Sequence, residues 1–313
     1  VWSCPWIDPA PPPATAADVL GLMTELAGLQ LDEALVLTSY HQSPLPTALV
    51  LRMAGVPRVA AISEDYPGAL LDVRHRVTGD LPEPERALSL VAAAGYRLPA
   101  GDDGRLGVLP PPDVTRLVGA GRYVVVHPGA TVPARAWPPH RCAEGVAALA
   151  AAGHRVVVTG GPDERELTAF VAAGGGLDLG GRTTFAELSG VLAGADAVVV
   201  GNTGPAHLAA AVGTPVVSLF APVVPAARWA PYGVPHVLLG DQHAACSGSR
   251  ARECPVPGHP CLTSVTASDV VSAVAGLVGP PATAVGPRAE ESLVRPPAEE
   301  SLVGPPAEES RVA

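Results

Sequence analysis

Three valine-rich segments end alike, in small and polar residues: VVVHPGAT (124–131), VVVTGGPDE (156–164) and VVVGNTGPAH (198–207). A glycine at such an end lets a ligand lie against bare backbone. A helix that follows offers unpaired N–H groups and the positive end of its dipole. Three ends of this kind on adjacent strands make a cradle for a diphosphate. Its candidate contacts are His127, Pro128, Gly129, Ala130, Thr131, Thr159, Gly160, Gly161, Asp163, Asn202, Thr203, Gly204, Pro205 and His207. Arg135, in ATVPARAWPP, follows the first end and can pair with phosphate and offset charge on a leaving group. His207 falls in the first turn of its helix, where the helix N-terminus lowers an imidazole pKa. Taken singly, each feature also has a plainer reading: strand-to-helix punctuation, a surface arginine, a packing or capping histidine.

The elements that must position these residues alternate regularly from Tyr123 onward. Strand YVVVHPGA is followed by helix RCAEGVAALAAAG, strand HRVVVTGGPDE and helix RELTAFVAAG. A short LDLGG, helix FAELSGVLAGA, strand DAVVVGNTG, helix PAHLAAAVG and strand PVVSLFAP come next. Strands that are apolar throughout and alternate with helices form a parallel sheet covered on both faces, an α/β doubly wound domain. Ligands of such sheets bind beyond the carboxyl ends of the strands, where the cradle lies. No G-x-G-x-x-G follows a first strand, which disfavours a nicotinamide or flavin site. The phosphate loop ending in G-K-[ST] is excluded because the chain has no Lys.

Upstream, spacing predicts a helix over Ala14–Leu29 with Asp18 as its N-terminal cap and a strand over Glu33–Tyr40. LPTALVLRMAGVPRVAAI reads as a helix and a short strand, and PEPERALSLVAAAGY as a further helix. Composition divides the chain into residues 1–115, 116–279 and 280–313. The last part repeats VGPRAEESL, VRPPAEESL and VGPPAEESR, whose prolines and paired glutamates predict a disordered tail.

A net charge of −10 over 313 residues argues against a nucleic-acid partner bound through an extensive basic surface. No apolar run reaches the ~18 residues needed to span a bilayer, which predicts a soluble protein, expected in the cytoplasm. The odd number of cysteines (Cys4, Cys142, Cys246, Cys254, Cys261) points to a reducing compartment. Cys246, Cys254, His259 and Cys261, with His243 near, invite a zinc reading. Their spacing lacks a C-x-x-C pair, so a structural role and no bound metal is the preferred expectation. The opening VWSCPWIDPAPPP has neither a start methionine nor a secretory leader, and suggests a chain that begins inside a larger protein.

HPGATVPARAWP, VVVTGGPDE, LDLGGRTTFAELSGVLAGADAVVVGNTGPAHLAAAVGTPVVSLFAP and CPVPGHPCL, in that order, resemble glycosyltransferase family 9, the ADP-heptose:lipopolysaccharide heptosyltransferases and their relatives. The likeness runs from about Tyr123 to Val278, and residues 34–100 are similar to the later part of the family's N-terminal domain. It implies a GT-B architecture of two Rossmann-like domains, the C-terminal one taking the nucleotide-diphospho-sugar donor and the N-terminal one a glycan or glycolipid acceptor. It also implies sugar transfer with inversion, no cofactor, a heptose-like sugar on ADP, and work at the inner face of the membrane. The family's Asp-Thr/Ser-Gly-x-x-His motif falls on residues 202–207, with Asn202 where relatives have Asp, and its basic residue before Trp-Pro falls on Arg135. The family's glycine-rich turn, whose aspartate is the proposed base, has no counterpart here. The N-terminal domain is therefore expected to be incomplete and the catalytic base is unassigned, since Asp8 has an unlike context. Without general-base help worth about 10²–10⁴ in rate, donor binding with little turnover is expected. The alternatives are a non-catalytic nucleotide-sugar-binding module and a sugar-nucleotide epimerase using Asp163, Glu164 or Glu187.

Overall fold

The computed structural model describes residues 14–39 and 42–279. Cys4, Asp8 and the nonapeptide repeats lie outside the described residues. In chain order the first elements are α1 (Ala16–Gly28), β1 (Glu33–Val36), α2 (Leu45–Met53), β2 (Arg58–Ile62), β3 (Val73–His75) and α3 (Glu83–Ala93). The three strands pair in parallel in the order β1-β2-β3. Alternation along β2 divides the packing: Val59 and Ala61 face α2, whereas Ala60 and Ile62 meet Leu90 and Ala94 of α3 and the turn after it. Helix α1 starts one residue beyond Thr15, and Thr15, not Asp18, is its N-cap. The two side chains cap reciprocally, Asp18 accepting from the Thr15 N–H while its own N–H donates to the Thr15 hydroxyl.

The second part runs α4 (Thr115–Val118), β4 (Val124–His127), α5 (Pro139–Ala151), β5 (Val156–Val158), α6 (Arg165–Ala172), β6 (Gly176–Asp178), α7 (Phe185–Ala193) and β7 (Ala197–Gly201). It continues with α8 (Gly204–Ala211), β8 (Val216–Leu219), α9 (Ala226–Trp229), β9 (His236–Leu239), α10 (Pro260–Thr263) and α11 (Ala267–Val278). Six strands pair in parallel in the order β6-β5-β4-β7-β8-β9. Strand order reverses between β4 and β7, the switch point at which open α/β sheets open a crevice for ligands.

The valines explain this sheet. In β4, Val124 and Val126 join one buried cluster with Val146 and Leu149 of α5 and Val270 and Val274 of α11. Val125, one residue out of phase, joins the opposite cluster with Val191 and Leu192 of α7 and Leu208 of α8. Each face is therefore covered, and a strand buried on both sides has no polar phase in its sequence. Strands β3 and β9 and helix α11 extend the expected element list. The predicted strand 33–40 is shorter than expected, ending at Val36. Among the described residues no helix is long and apolar enough to cross a membrane.

Candidate functional site

The carboxyl ends of β4, β5 and β7 converge on the switch point. His127 closes β4 and is buried, its Nδ1 2.9 Å from the Thr159 hydroxyl at the end of β5. Its Nε2 lies 4.0 Å from the Glu164 carboxylate. Burial holds the imidazole below its ordinary pKa, against the pull of Glu164. Glu164 in turn accepts a hydrogen bond of 2.7 Å from the Gly161 N–H at the turn into α6. Gly129 has no side chain because the Glu164 carboxylate occupies the space a Cβ would fill. The cradle wall is thus two strand ends laid in direct contact.

A 3-10 turn over Pro133–Arg135 lies in the connection from β4 to α5 and packs against the end of β7. Two contacts fix it. Buried Trp137 donates from Nε1 to the Leu262 carbonyl at 3.1 Å, and a Cβ on Gly201 would meet the Arg135 carbonyl oxygen at 2.8 Å. Arg135 is thereby held beside the mouth of β7. There the strand passes into buried Asn202 and then Thr203, whose extended backbone (φ −142°, ψ 174°) precedes the first turn of α8. Arg135 Nε, Asn202 Nδ2 and Thr203 Oγ1 are buried with no hydrogen-bond partner. Three idle polar atoms on facing loops are costly unless something completes them.

His207 packs its ring edge-on to Trp229, with centroids 6.2 Å apart. Its pKa is lowered, first by burial and then by the Arg135 guanidinium. The sequence reasoning attributed such a shift to the helix N-terminus; the causes here are desolvation and a neighbouring cation. Burial, and after it the guanidinium of Arg252, disfavour the charge of Arg135 itself.

A cavity of about 540 Å³ opens over this ground. Of the predicted residues, His127, Gly129, Ala130, Thr131, Gly161, Thr203, Gly204 and Pro205 line it. Pro128, Thr159, Gly160 and Asn202 stand behind that lining, Arg135 and His207 flank it, and Asp163 is exposed on the turn before α6. Its far wall was missed by the site prediction: Glu164, Phe185, Leu188 and Leu208. Phe185 is 74% exposed, at the start of α7. The only sequence signal for Phe185 was a large aromatic placed directly after a helix cap, Thr184. Glu187 does not face the chemistry: it completes the Thr184 capping box and pairs with Arg116.

A second cavity, of about 560 Å³, lies beyond the carboxyl ends of β2 and β3. Ser43, Ser63, Glu64, Asp65, Asp80 and Arg86 line it, and Arg228 of α9 reaches it. Arg228 Nε donates to Asp80 at 2.7 Å, which ties the two sheets' carboxyl edges together. The cysteines behave as packing residues. Cys246 and Cys261 are buried and free, and the Cys261 thiol is pushed up to about 11 by burial and by the adjoining Cys246 and Cys254 thiols.

The sequence profile of glycosyltransferase family 9 (heptosyltransferase) matches residues 21–259. Lipopolysaccharide heptosyltransferase 3 of Escherichia coli is 36% identical over 104 residues, 31% of this chain and 31% of that protein. The chain thus aligns with about a third of the length of this curated relative. ADP-heptose lipopolysaccharide heptosyltransferase II of E. coli shares the fold, with 21% identity, coverage of 85% of this chain and 82% of that one, and a TM-score of 0.60. E. coli heptosyltransferase WaaC, solved with ADP, does so at 20% identity over 82% of this chain and 76% of that one, with a TM-score of 0.59. With two parallel sheets facing each other in the GT-B manner and a family match across most of its described length, the chain belongs to glycosyltransferase family 9.

Proposed function

We propose that the chain binds a nucleotide-diphospho-sugar at the switch point of its six-stranded sheet and transfers the sugar, with inversion, to a glycan or glycolipid. The observation that carries the reading is the set of idle buried atoms, Arg135 Nε, Asn202 Nδ2 and Thr203 Oγ1, grouped where β4 and β7 part. A diphosphate supplies acceptors to such atoms and counter-charge to Arg135. It lies against the backbone at Gly204, where a Cβ would have nothing within 4 Å in the empty protein. The nucleobase goes to the apolar side of the cavity, with Phe185 as its stacking face and Leu188 and Leu208 beneath. ADP is favoured because WaaC was solved with it, and a heptose-like sugar because the named relatives are heptosyltransferases.

The acceptor occupies the cavity beyond β2 and β3, so that its hydroxyl attacks the anomeric carbon as the nucleoside diphosphate departs. That attack releases a proton to a carboxylate. Asp80 is committed to Arg228, whereas the side chains of Glu64 and Asp65 have no partner among the described residues. A glycolipid acceptor would put the protein at the cytoplasmic face of the membrane. His127 stays neutral at pH 7 and serves as a hydrogen-bonding wall with Thr159. Asn202 keeps a donor without adding negative charge beside the diphosphate.

Calorimetric titration with ADP, GDP and UDP, followed by a transfer assay with the ADP-linked heptose, tests the reading. ADP binding with transfer is the expected result. Binding without transfer would reduce the chain to a nucleotide-sugar-binding module, and no binding of any of the three would refute the site.

A further inference from the structure

The connection from β9 to α10 carries a residue that the strand-end reasoning overlooked. Its main chain runs along the segment that leaves β8: the Gly248 N–H donates to the Pro222 carbonyl and the Arg250 N–H to the Val223 carbonyl, each at 2.8 Å. It then docks on the 3-10 turn, where the Ala134 N–H donates to the Arg252 carbonyl at 2.9 Å. Arg250 takes a left-handed backbone conformation (φ 58°), which turns the chain toward that contact. For a residue with a Cβ this costs of order 1 kcal/mol or more, and such strain persists only where the surrounding structure imposes it. At the base, Cys246 and Cys261 are buried in the same cluster as Trp137, the residue that anchors the Arg135 turn.

The outcome is that Arg252, itself exposed, is held by its main chain beside the turn that carries Arg135. Burial and, after it, the Arg252 guanidinium disfavour the charge of Arg135, and among the described residues neither arginine forms an ion pair. Glu253, next along the chain, is exposed and does not bridge them. Like charges brought together by backbone hydrogen bonds await an anion. The turn carrying Arg135 abuts Gly201 at the carboxyl end of β7, the residue before Asn202 and Thr203.

We propose that Arg252 is a second diphosphate-binding residue, gripping the donor from the β8 side while Arg135 and the start of α8 grip it from the β4 and β7 side. This rests on the donor site proposed above. Each guanidinium presents a fork of N–H donors, and a diphosphate offers two phosphoryl groups, so one fork can serve each. The recognised chemistry is the second phosphate. The loop therefore discriminates a nucleoside diphosphate from a monophosphate or a bare nucleoside.

The experiment titrates ADP, AMP and adenosine into the full chain, into Arg252→Ala and Arg252→Gln, and into Arg250→Ala as a same-loop charge control. Arg135→Ala serves as the reference for the primary site. Arg252→Ala is expected to weaken ADP about tenfold and to flatten its salt dependence, with AMP affected less and adenosine unchanged. Arg250→Ala should stay within about twofold of the unaltered chain. Arg252→Gln, which keeps a side chain of similar length, reports the same loss if the alanine variant folds poorly. An ADP affinity that survives both Arg252 changes while falling in Arg135→Ala overturns the role of Arg252 and leaves the donor site standing. Failure of the unaltered chain to bind ADP at all overturns the donor site, and with it this grip.

Discussion

Replacing Arg135 by alanine separates a binding residue from a structural one, because the two roles predict opposite signs. In the empty protein Arg135 Nε is buried without an acceptor, and the nearest opposing influence is another cation, Arg252. An unsatisfied buried donor costs about 1–3 kcal/mol. Against this, the half-buried methylene stem contributes packing of about 1 kcal/mol. The difference leaves Arg135→Ala changing stability by between about zero and +2 kcal/mol, a melting shift of no more than ~8 °C, and upward if anything. With ADP present the sign reverses. Charge-assisted hydrogen bonds to phosphate are worth about 1.5–3 kcal/mol, so the dissociation constant should rise roughly 10- to 100-fold. Arg135→Lys keeps the charge but not the fork, and should fall between. Thermal melting with and without ADP, alongside calorimetry, reads both quantities on one sample. A melting temperature lowered by more than about 5 °C with ADP affinity unchanged would refute the reasoning, because Arg135 would then be holding the fold together.

The remaining expectations are shorter. Gly204→Leu should fold normally, as nothing lies within 4 Å of its Cβ position, yet lose ADP binding; unchanged affinity would remove the diphosphate from that backbone. Gly201→Ala should instead destabilise by about 1–3 kcal/mol, because its Cβ meets the Arg135 carbonyl oxygen at 2.8 Å and backbone cannot swing aside; a denaturant titration checks it. Phe185→Ala should weaken ADP and adenosine alike by about tenfold while leaving inorganic pyrophosphate competition unchanged, the pattern of a base-stacking ring and not of a phosphate contact. His127 and His207 both have lowered pKa values in the folded chain, so the unfolded chain binds more protons than the folded one at mildly acidic pH. Their stabilisation is present above about 6.5 and lost as pH falls below it, and melting temperature measured between pH 8 and 5 should decline accordingly, less steeply in His207→Gln.

What was legible in the sequence follows from how each feature is encoded. Strands β4, β5, β7 and β8 were readable because burial on both faces leaves uninterrupted apolar runs rich in valine, and the cradle because glycine and proline follow those valines, whereas β9 is partly exposed and was not expected. Strand β3 (Val73–His75) was not readable: three residues at a sheet edge, all partly exposed, carry no apolar run. Asp18 was taken for the cap that Thr15 provides, because a capping box presents two plausible caps three residues apart, and only geometry says which one breaks the helix. His207 was singled out for its place in the first turn of α8, whereas burial and the Arg135 guanidinium lower its pKa. Arg252 was invisible for a deeper reason. Its position depends on a loop returning across the sheet to the Arg135 turn, and no local periodicity encodes a return of that kind. Glu164 was noticed only as a possible epimerase acid, whereas its place in the wall is announced by the glycine it displaces, Gly129, on another strand.

The distribution of idle polar atoms separates a ligand site from loose packing. Nine buried side-chain atoms lack a partner among the described residues. If they reflected imperfect folding they would scatter with the polar residues of the core. Instead Arg135, Asn202 and Thr203 sit together at the switch point, and Ser218 lies on β8 opposite Val200, one residue from the end of β7. Thr38 repeats the pattern at the other sheet, where its carbonyl accepts from Arg86 at the edge of the second cavity. Five of the nine thus fall toward the carboxyl ends of the strands in the two sheets, and Thr203 lines a cavity there. Each costs stability that a hydrophobic replacement would recover. A chain built from valine and alanine has such replacements close at hand. Polar atoms left idle on facing edges are what a preorganised site looks like before its substrates arrive, since donors already aimed need no reorganisation when charge develops on the leaving group.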